Sequence, residues 1–246
     1  RFGFFPMWIE KKVFNHTDMA FPLSENGVNI LRRRGYTKEV TVFPNGVDLR
    51  MFYKMKVEDL RSELGLDQTF VIGYVGRILR MKGLDTLVEA IAQLNMNCKI
   101  LLVGRGEYRS ELEKLADQLV ISERIVWIDG VPPEDVPKYL NCMDTLVLPS
   151  RTTPDWVEFF GRVLVEAMAC QVPVIGSDSG EIPNVIGNAG LTFPEGKAKL
   201  LADQIQMIAQ DPVLRSNLLQ LGLDRVEEFS WETIAQRTLE VYQDLV

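Results

Sequence analysis

The chain has 246 residues, and its 34 acidic and 27 basic side chains give a net charge of −7. Hydrophobic residues make up 46% and charged residues 25%, a balance typical of folded globular proteins that excludes a disordered chain. The acidic charge argues against a nucleic-acid partner, because nucleic-acid binding needs a basic surface. No run of about 18 apolar residues occurs, so we predict no membrane-spanning segment.

Three dispersed cysteines, Cys98, Cys142 and Cys170, lack the spacing of a disulfide framework or a zinc site, so we expect buried, reduced thiols. No D-x-D arrangement occurs, and we predict no metal site. The chain begins Arg1-Phe2-Gly3, without a methionine or a signal-peptide pattern. We therefore expect a cytoplasmic protein whose sequence here starts partway through a longer chain.

The first part of the chain contains a strand over 17–22, a helix over 24–35 that Ser24 caps, and a strand over 39–43. From residue 70 onward, apolar strand-like runs alternate with helical patterns. The predicted strands cover 70–76, 99–104, 124–128, 144–149, 172–176 and 190–193. The predicted helices cover 84–94, 107–120, 134–141, 160–170, 181–186, 197–210, 212–228 and 231–245.

This alternation implies right-handed crossovers and a parallel sheet, and the continuous apolar strands imply that both faces of the sheet are covered. The sequence therefore predicts an α/β fold, a Rossmann-like doubly wound parallel sheet over residues 45–230. Residues 1–44 are too few to form a core of their own. Ligands of such sheets bind at the carboxyl ends of the strands, so we expect the binding residues in the loops there.

A basic segment bounded by glycines, Gly76-Arg77-Ile78-Leu79-Arg80-Met81-Lys82-Gly83, follows the first strand of this domain. A strand, a glycine turn, spaced cations and a helix start together make a suitable site for an anion. Arg77 can grip a phosphate through two hydrogen bonds, whereas Lys82 acts as a point charge. Taken alone, the segment fits ordinary solvated cations equally well, and it lacks the pattern of a Walker loop.

A second glycine-containing segment, Gly104-Arg105-Gly106-Glu107, follows the next strand. It lacks the third glycine of a dinucleotide-binding loop. A tight turn into a helix explains the segment, and a structural role is favoured.

Glu158 and Glu166 bracket the third segment, Glu158-Phe159-Phe160-Gly161-Arg162-Val163-Leu164-Val165-Glu166. If fully helical, it would separate the two carboxylates by roughly 12 Å. That spacing suits a ligand with hydroxyls at both ends and a diphosphate between them, which the amides at the helix start can meet. Glu166 lies in an apolar stretch where a carboxylate must be hydrogen-bonded. Ribose hydroxyls would supply those bonds, although a backbone cap or a cation is the alternative.

These segments stand between two others, Pro44-Asn45-Gly46-Val47-Asp48 and Phe229-Ser230-Trp231-Glu232. In this order and spacing they resemble the group 1 (family 4) retaining glycosyltransferases of the GT-B fold. The resemblance implies that residues 1–44 are the tail of an N-terminal acceptor domain. It also implies that residues 45–230 bind a nucleotide sugar and that residues 231–246 form a C-terminal crossover helix.

The resemblance further implies roles for matching residues. Arg77 and Lys82 would neutralise the donor diphosphate, Glu158 would bind hydroxyls of the transferred sugar, and these three would be the catalytic residues. Glu166 would bind the ribose, and Val131 would approach the nucleobase. The remaining donor-binding residues would line the sugar-phosphate region: Phe160, Gly161, Arg162 and Val163.

The implied reaction is a hexosyltransferase-like transfer, with retention and without a metal or cofactor. Its donor would be a UDP-, GDP- or ADP-linked sugar, and its acceptor a sugar or lipid held by the missing N-terminal domain. The protein's contribution would be electrostatic stabilisation of the departing nucleotide plus orientation. The chain as given would be incomplete for catalysis, because the acceptor wall is absent.

Two other readings stay open: a non-catalytic nucleotide-sugar-binding module and a GT-B sugar-nucleotide epimerase. The pair of glutamates with Arg77 and Lys82 fits the epimerase less well. The basic cluster Arg32-Arg33-Arg34 allows peripheral contact with the inner membrane surface, although a solvated helix end is the simpler interpretation.

Overall fold

The computed structural model describes residues 7–244. The start Arg1-Phe2-Gly3 and the last residue of the predicted final helix, 245, lie outside the described residues. The chain forms two compact units, Arg1–Asn45 and Gly46–Val246.

The first unit pairs two short parallel strands, β1 (Met19–Ala20) and β2 (Glu39–Val40), with helices α1 (Met7–Asn15) and α2 (Glu25–Arg33). Both strands are shorter than the sequence pattern predicts. The predicted cap of α2 is confirmed, since Ser24 Oγ accepts a hydrogen bond from the amide of Gly27 at 3.2 Å.

The described part of the second unit contains one six-stranded parallel sheet with the order β5-β4-β3-β6-β7-β8. Its strands are β3 (Phe70–Val75), β4 (Cys98–Val103), β5 (Ile125–Ile128), β6 (Thr145–Leu148), β7 (Val174–Ser177) and β8 (Gly190–Phe193). Its helices are α3 (Glu58–Glu63), α4 (Leu84–Ala92), α5 (Arg109–Gln118), α6 (Val136–Asn141), α7 (Arg162–Ala169), α8 (Ile182–Ile186), α9 (Ala198–Gln210), α10 (Pro212–Glu227) and α11 (Trp231–Asp244).

Burial explains why the central strands read as continuous apolar runs. Every residue of β6 and β7 is buried, as are the four inner residues of β3. Such strands occur where helices cover both faces of a parallel sheet. The predicted fold class, a Rossmann-like doubly wound parallel sheet, is confirmed. The three cysteines are free and buried, as expected.

The strand order reverses direction between β3 and β6, which are neighbours in the sheet although far apart in sequence. The connections leaving these two strands lead to opposite sides, so a crevice opens between them at their carboxyl ends. The loops that flank this crevice are 76–83 after β3 and 149–161 after β6. They carry the charged segments that the sequence singles out.

The N-terminal edge of the second unit lies alongside the start of α11. The amide of Val47 donates to Phe229 O at 2.8 Å, and the amide of Trp231 donates to Val47 O at 3.2 Å. The segment after Gly46 is thereby fixed against the last helix of the unit. Within residues 7–244, none of the helices combines the length and the apolar character that a membrane span requires.

Candidate functional site

A cavity of about 570 Å³ lies at the carboxyl ends of β3 and β6. This volume is within the range of small-molecule sites. Eight of the nine residues that the sequence predicts as donor-binding line it: Arg77, Lys82, Val131, Glu158, Gly161, Arg162, Val163 and Glu166. The ninth, Phe160, is buried in the core with its ring centroid 5.5 Å from that of Phe229.

The loop after β3 is held in place by contacts that leave its cations at the cavity. Tyr74, which is fully buried, donates its hydroxyl hydrogen to Arg77 O at 2.7 Å. Burial raises the pKa of Tyr74, and the nearby charge of Glu158 raises it further, so this hydroxyl stays protonated. A 3₁₀ turn, Arg80–Lys82, then carries Lys82, and the amide of Arg151 donates to Met81 O at 2.8 Å.

The glycines of the second segment allow two loops to pack backbone to backbone. A Cβ on Gly104 would overlap the carbonyl oxygen of Gly76, and a Cβ on Gly106 would overlap that of Ile78. The close approach lets the amide of Ile78 donate to Arg105 O at 2.8 Å. The structural role favoured by the sequence is thus supported, because this packing fixes the loop that carries Arg77.

The carboxylate of Glu158 is buried and paired. Its Oε2 lies 2.6 Å from Lys82 Nζ and accepts a hydrogen bond from Ser150 Oγ at 2.9 Å. The side chains of Lys82 and Glu158 are only 15% and 11% exposed, so each charge depends on the other for compensation. Lys82 Nζ also lies 4.7 Å from the ring centroid of Trp156. Residues 76–83 and 149–161 are therefore joined across the crevice by an ion pair.

The second glutamate, Glu166, sits closer to the helix start than the sequence suggests. Helix α7 begins at Arg162, so residues 158–161 are not helical and the separation computed for a continuous helix does not hold. Glu166 is 8% exposed, and its Oε1 lies 2.9 Å from Arg162 Nε. Burial raises the pKa of Glu166, and Arg162 partly offsets that rise. The sequence leaves a backbone cap or a cation open as the partner of Glu166, and in the structure the partner is a cation, Arg162.

Part of the cavity wall comes from residues to which sequence reasoning assigned no donor contact. Gly46, Val47 and Asp48 line it together with Trp231, from the two segments that meet at the start of α11. Their motifs are visible in the sequence, but only the folded chain brings them to the charged loops.

A second depression, of about 340 Å³, adjoins the first and shares Arg77 and Val131 with it. The loops after β4 and β5 form its other walls, including Arg105 and Gly130. Val131 thus stands between the two spaces, next to the loop that holds the cations. Among the described residues, no group of three or more His, Cys, Asp or Glu side chains could hold a metal ion.

The chain is similar in sequence to known proteins. The family model described as glycosyl transferases group 1 matches residues 56–222. The chain is 32% identical over 211 residues to the GDP-mannose-dependent monoacylated alpha-(1-6)-phosphatidylinositol monomannoside mannosyltransferase of Corynebacterium glutamicum. That alignment covers 81% of this chain and 55% of the relative, so the chain spans about half the relative's length.

Two solved structures show the same fold. Sucrose-phosphate synthase from Thermosynechococcus elongatus is 31% identical with a TM-score of 0.82, covering 97% of this chain and 61% of its own. Anabaena HepE, solved in complex with UDP and glucose, is 24% identical with a TM-score of 0.83, covering 97% of this chain and 66% of its own. The family model matches more than half of the chain, and this match establishes that the chain belongs to the group 1 glycosyltransferase family.

Proposed function

We propose that this chain is the donor-binding half of a retaining, metal-independent glycosyltransferase that moves a sugar from a nucleotide-diphosphate sugar to an acceptor. The observation that carries the proposal is the convergence of Arg77 and Lys82 with Glu158 and Glu166 on one cavity. That cavity lies where ligands of doubly wound sheets bind. A GDP-mannose-dependent relative and a structural neighbour solved in complex with UDP support a nucleotide-linked donor.

In this proposal the two cations receive the donor diphosphate. Arg77 and Lys82 neutralise the charge that grows on the phosphates as the bond between sugar and phosphate breaks, which lowers the barrier. The amide groups of Gly161, Arg162 and Val163, at the start of α7, add partial positive charge on the same side of the cavity. As the new glycosidic bond forms, the departing phosphate accepts the proton that the acceptor hydroxyl loses, so this half of the protein supplies no separate acid or base.

The two glutamates orient the donor at its ends. Glu158 accepts hydrogen bonds from the transferred sugar and Glu166 from the ribose, while Val131 and the adjoining depression receive the nucleobase. Phe160 supports this region from the core. Fixing both ends sets the sugar–phosphate bond in a defined position for the acceptor.

The first experiment titrates UDP-, GDP- and ADP-sugars into the chain by calorimetry, with Glu166→Gln alongside. We expect one nucleotide series to bind the wild type and to bind Glu166→Gln about tenfold more weakly, since a charge-assisted bond is lost. Glu111→Gln is the matched control, because Glu111 is an exposed glutamate on α5. Absence of binding to the wild type would contradict the donor site, and equal binding by Glu166→Gln would contradict the ribose role.

The remaining parts of the proposal concern the whole protein. With the complete protein and an acceptor sugar or lipid, the product should keep the anomeric configuration of the donor, and activity should survive EDTA. Inversion would overturn the retaining assignment, and loss of activity that Mg²⁺ or Mn²⁺ restores would overturn the metal independence. Sedimentation with anionic vesicles tests the peripheral membrane contact considered for Arg32-Arg33-Arg34.

A further inference from the structure

Trp156 is the aromatic partner of Lys82, which lines the cavity, and it is not one of the proposed donor-binding residues. Lys82 Nζ lies 4.7 Å from the Trp156 ring centroid, within the range in which a ring face attracts a cation. Among the cation–π contacts of the described residues, this is the one whose cation lines the cavity. The half-buried setting of the contact strengthens it relative to an exposed pair.

The loop that carries Trp156 is tied down before the ring. Arg151 NH1 donates to Asp85 at 2.8 Å, which ties the start of the loop to α4. Thr152 donates its amide to Glu195 at 2.8 Å and its hydroxyl to the same carboxylate at 2.6 Å.

The loop is also tied at the ring and after it. The amide of Thr153 donates to Trp156 O at 2.8 Å and closes a tight turn. The amide of Glu181 donates to Glu158 O at 3.0 Å, just beyond the ring. The indole is therefore presented at a preset position beside Lys82.

Lys82 needs such a partner in this cavity because a lysine side chain is a flexible four-carbon stem that carries a compact charge. In the ligand-free site Glu158 holds the ammonium at 2.6 Å. When a nucleotide sugar binds as proposed, Glu158 turns to sugar hydroxyls and the ammonium turns to phosphate. The ring face of Trp156 carries no net charge and competes for neither ligand group, so it can hold the ammonium in both states.

We propose that Trp156 is a positioning residue that keeps the Lys82 ammonium over the phosphate-binding part of the cavity. The proposal rests on the proposed function, since it presupposes that Lys82 binds the donor diphosphate. Under this proposal, the function of residues 151–157 is to hold the indole ring of Trp156 beside Lys82.

The test is a double-mutant cycle read out as the affinity for the UDP-, GDP- or ADP-sugar that the wild-type chain binds most tightly. We expect Trp156→Leu to weaken binding about tenfold, and Trp156→Phe, which keeps a ring face, to weaken it about threefold. In a Lys82→Gln background, Trp156→Leu should change the affinity by less than about twofold, because its partner is gone. Trp127→Leu is the matched control, since Trp127 lies under Arg109 at 4.8 Å and outside the cavity lining.

The outcomes separate the two proposals. If the wild-type chain binds the nucleotide sugar and Trp156→Leu binds it equally well, the positioning role is overturned while the donor site stands. The role is also overturned if Trp156→Leu weakens binding by the same factor with Lys82 or Gln at position 82, since that pattern reports a general disturbance of the loop. Trp156→Phe, which preserves most of the packing, keeps the test valid if the leucine variant does not fold. Absence of binding by the wild type would instead overturn the proposed function.

Discussion

Replacing Gly180 by alanine tests the link between backbone packing and the position of Glu158. Gly180 has φ +55°, in the left-handed region, where an alanine costs about 1–2 kcal/mol. A Cβ there would lie 3.0 Å from the carbonyl carbon of Glu158 and would overlap its oxygen, so that carbonyl must retreat by roughly 1 Å. The retreat also breaks the 3.0 Å hydrogen bond from the Glu181 amide to Glu158 O, worth about 1 kcal/mol.

The cost of the left-handed alanine and the loss of the hydrogen bond together predict that Gly180→Ala lowers the free energy of unfolding by about 2–3 kcal/mol. In a unit of this size, that loss lowers Tm by roughly 5–10 °C. Because Glu158 moves with its backbone, nucleotide-sugar affinity should fall about tenfold. Urea unfolding and calorimetry measure the two effects.

The control is Gly196→Ala. Gly196 has φ +70°, and a Cβ there would have only Arg151 Nε within 4 Å, at 3.8 Å. It should show the conformational cost alone, with unchanged affinity. Equal stability loss in both variants, with no change in affinity for Gly180→Ala, would refute the reasoning.

Two further predictions concern the paired charges. Burial raises the pKa of Glu166, so the folded chain holds this proton more tightly than the unfolded chain and loses stability as pH rises from 4.5 through the raised pKa. Glu166→Gln should flatten that part of a stability–pH profile from urea unfolding, and an unchanged profile would contradict the burial argument. Lys82→Met should destabilise the ligand-free chain by about 3 kcal/mol, because it leaves a buried carboxylate unpaired. Adding Glu158→Gln should restore most of that loss in thermal melts; a further loss instead would show that the pair does not compensate.

The central sheet is predictable from the sequence because its strands are buried on both faces. The pattern predicts strands over 70–76 and 144–149, and the structure has Phe70–Val75 and Thr145–Leu148. Helix α3 escapes prediction, although the similarly short α6 and α8 do not, because Leu60 is its one apolar residue and no apolar pattern marks a buried face. The start of α7 is also predicted two residues too early, because nothing in the apolar pattern separates Phe160 and Gly161 from the helix that begins at Arg162.

The composition of the candidate site is predictable, but its internal contacts are not. Arg77, Lys82, Glu158 and Glu166 can be selected because they follow strands and match a spaced pattern. Their pairing depends on the neighbouring positions of β3 and β6 in the sheet, and sequence order does not reveal which strands are neighbours. The same applies to Trp156, which becomes significant only when the loop after β6 is seen beside Lys82.

The pairing of charges has a consequence for what the cavity can accept under the proposed function. A phosphate that draws Lys82 away from Glu158 leaves a carboxylate that is only 11% exposed with Ser150 as its remaining partner. Leaving such a carboxylate underbonded is costly, so a ligand made of phosphate alone is penalised. A nucleotide sugar avoids the penalty, because its sugar hydroxyls reach the carboxylate that its phosphate releases. The ion pair therefore favours ligands that carry both groups, and discrimination against free phosphate is built into the ligand-free state.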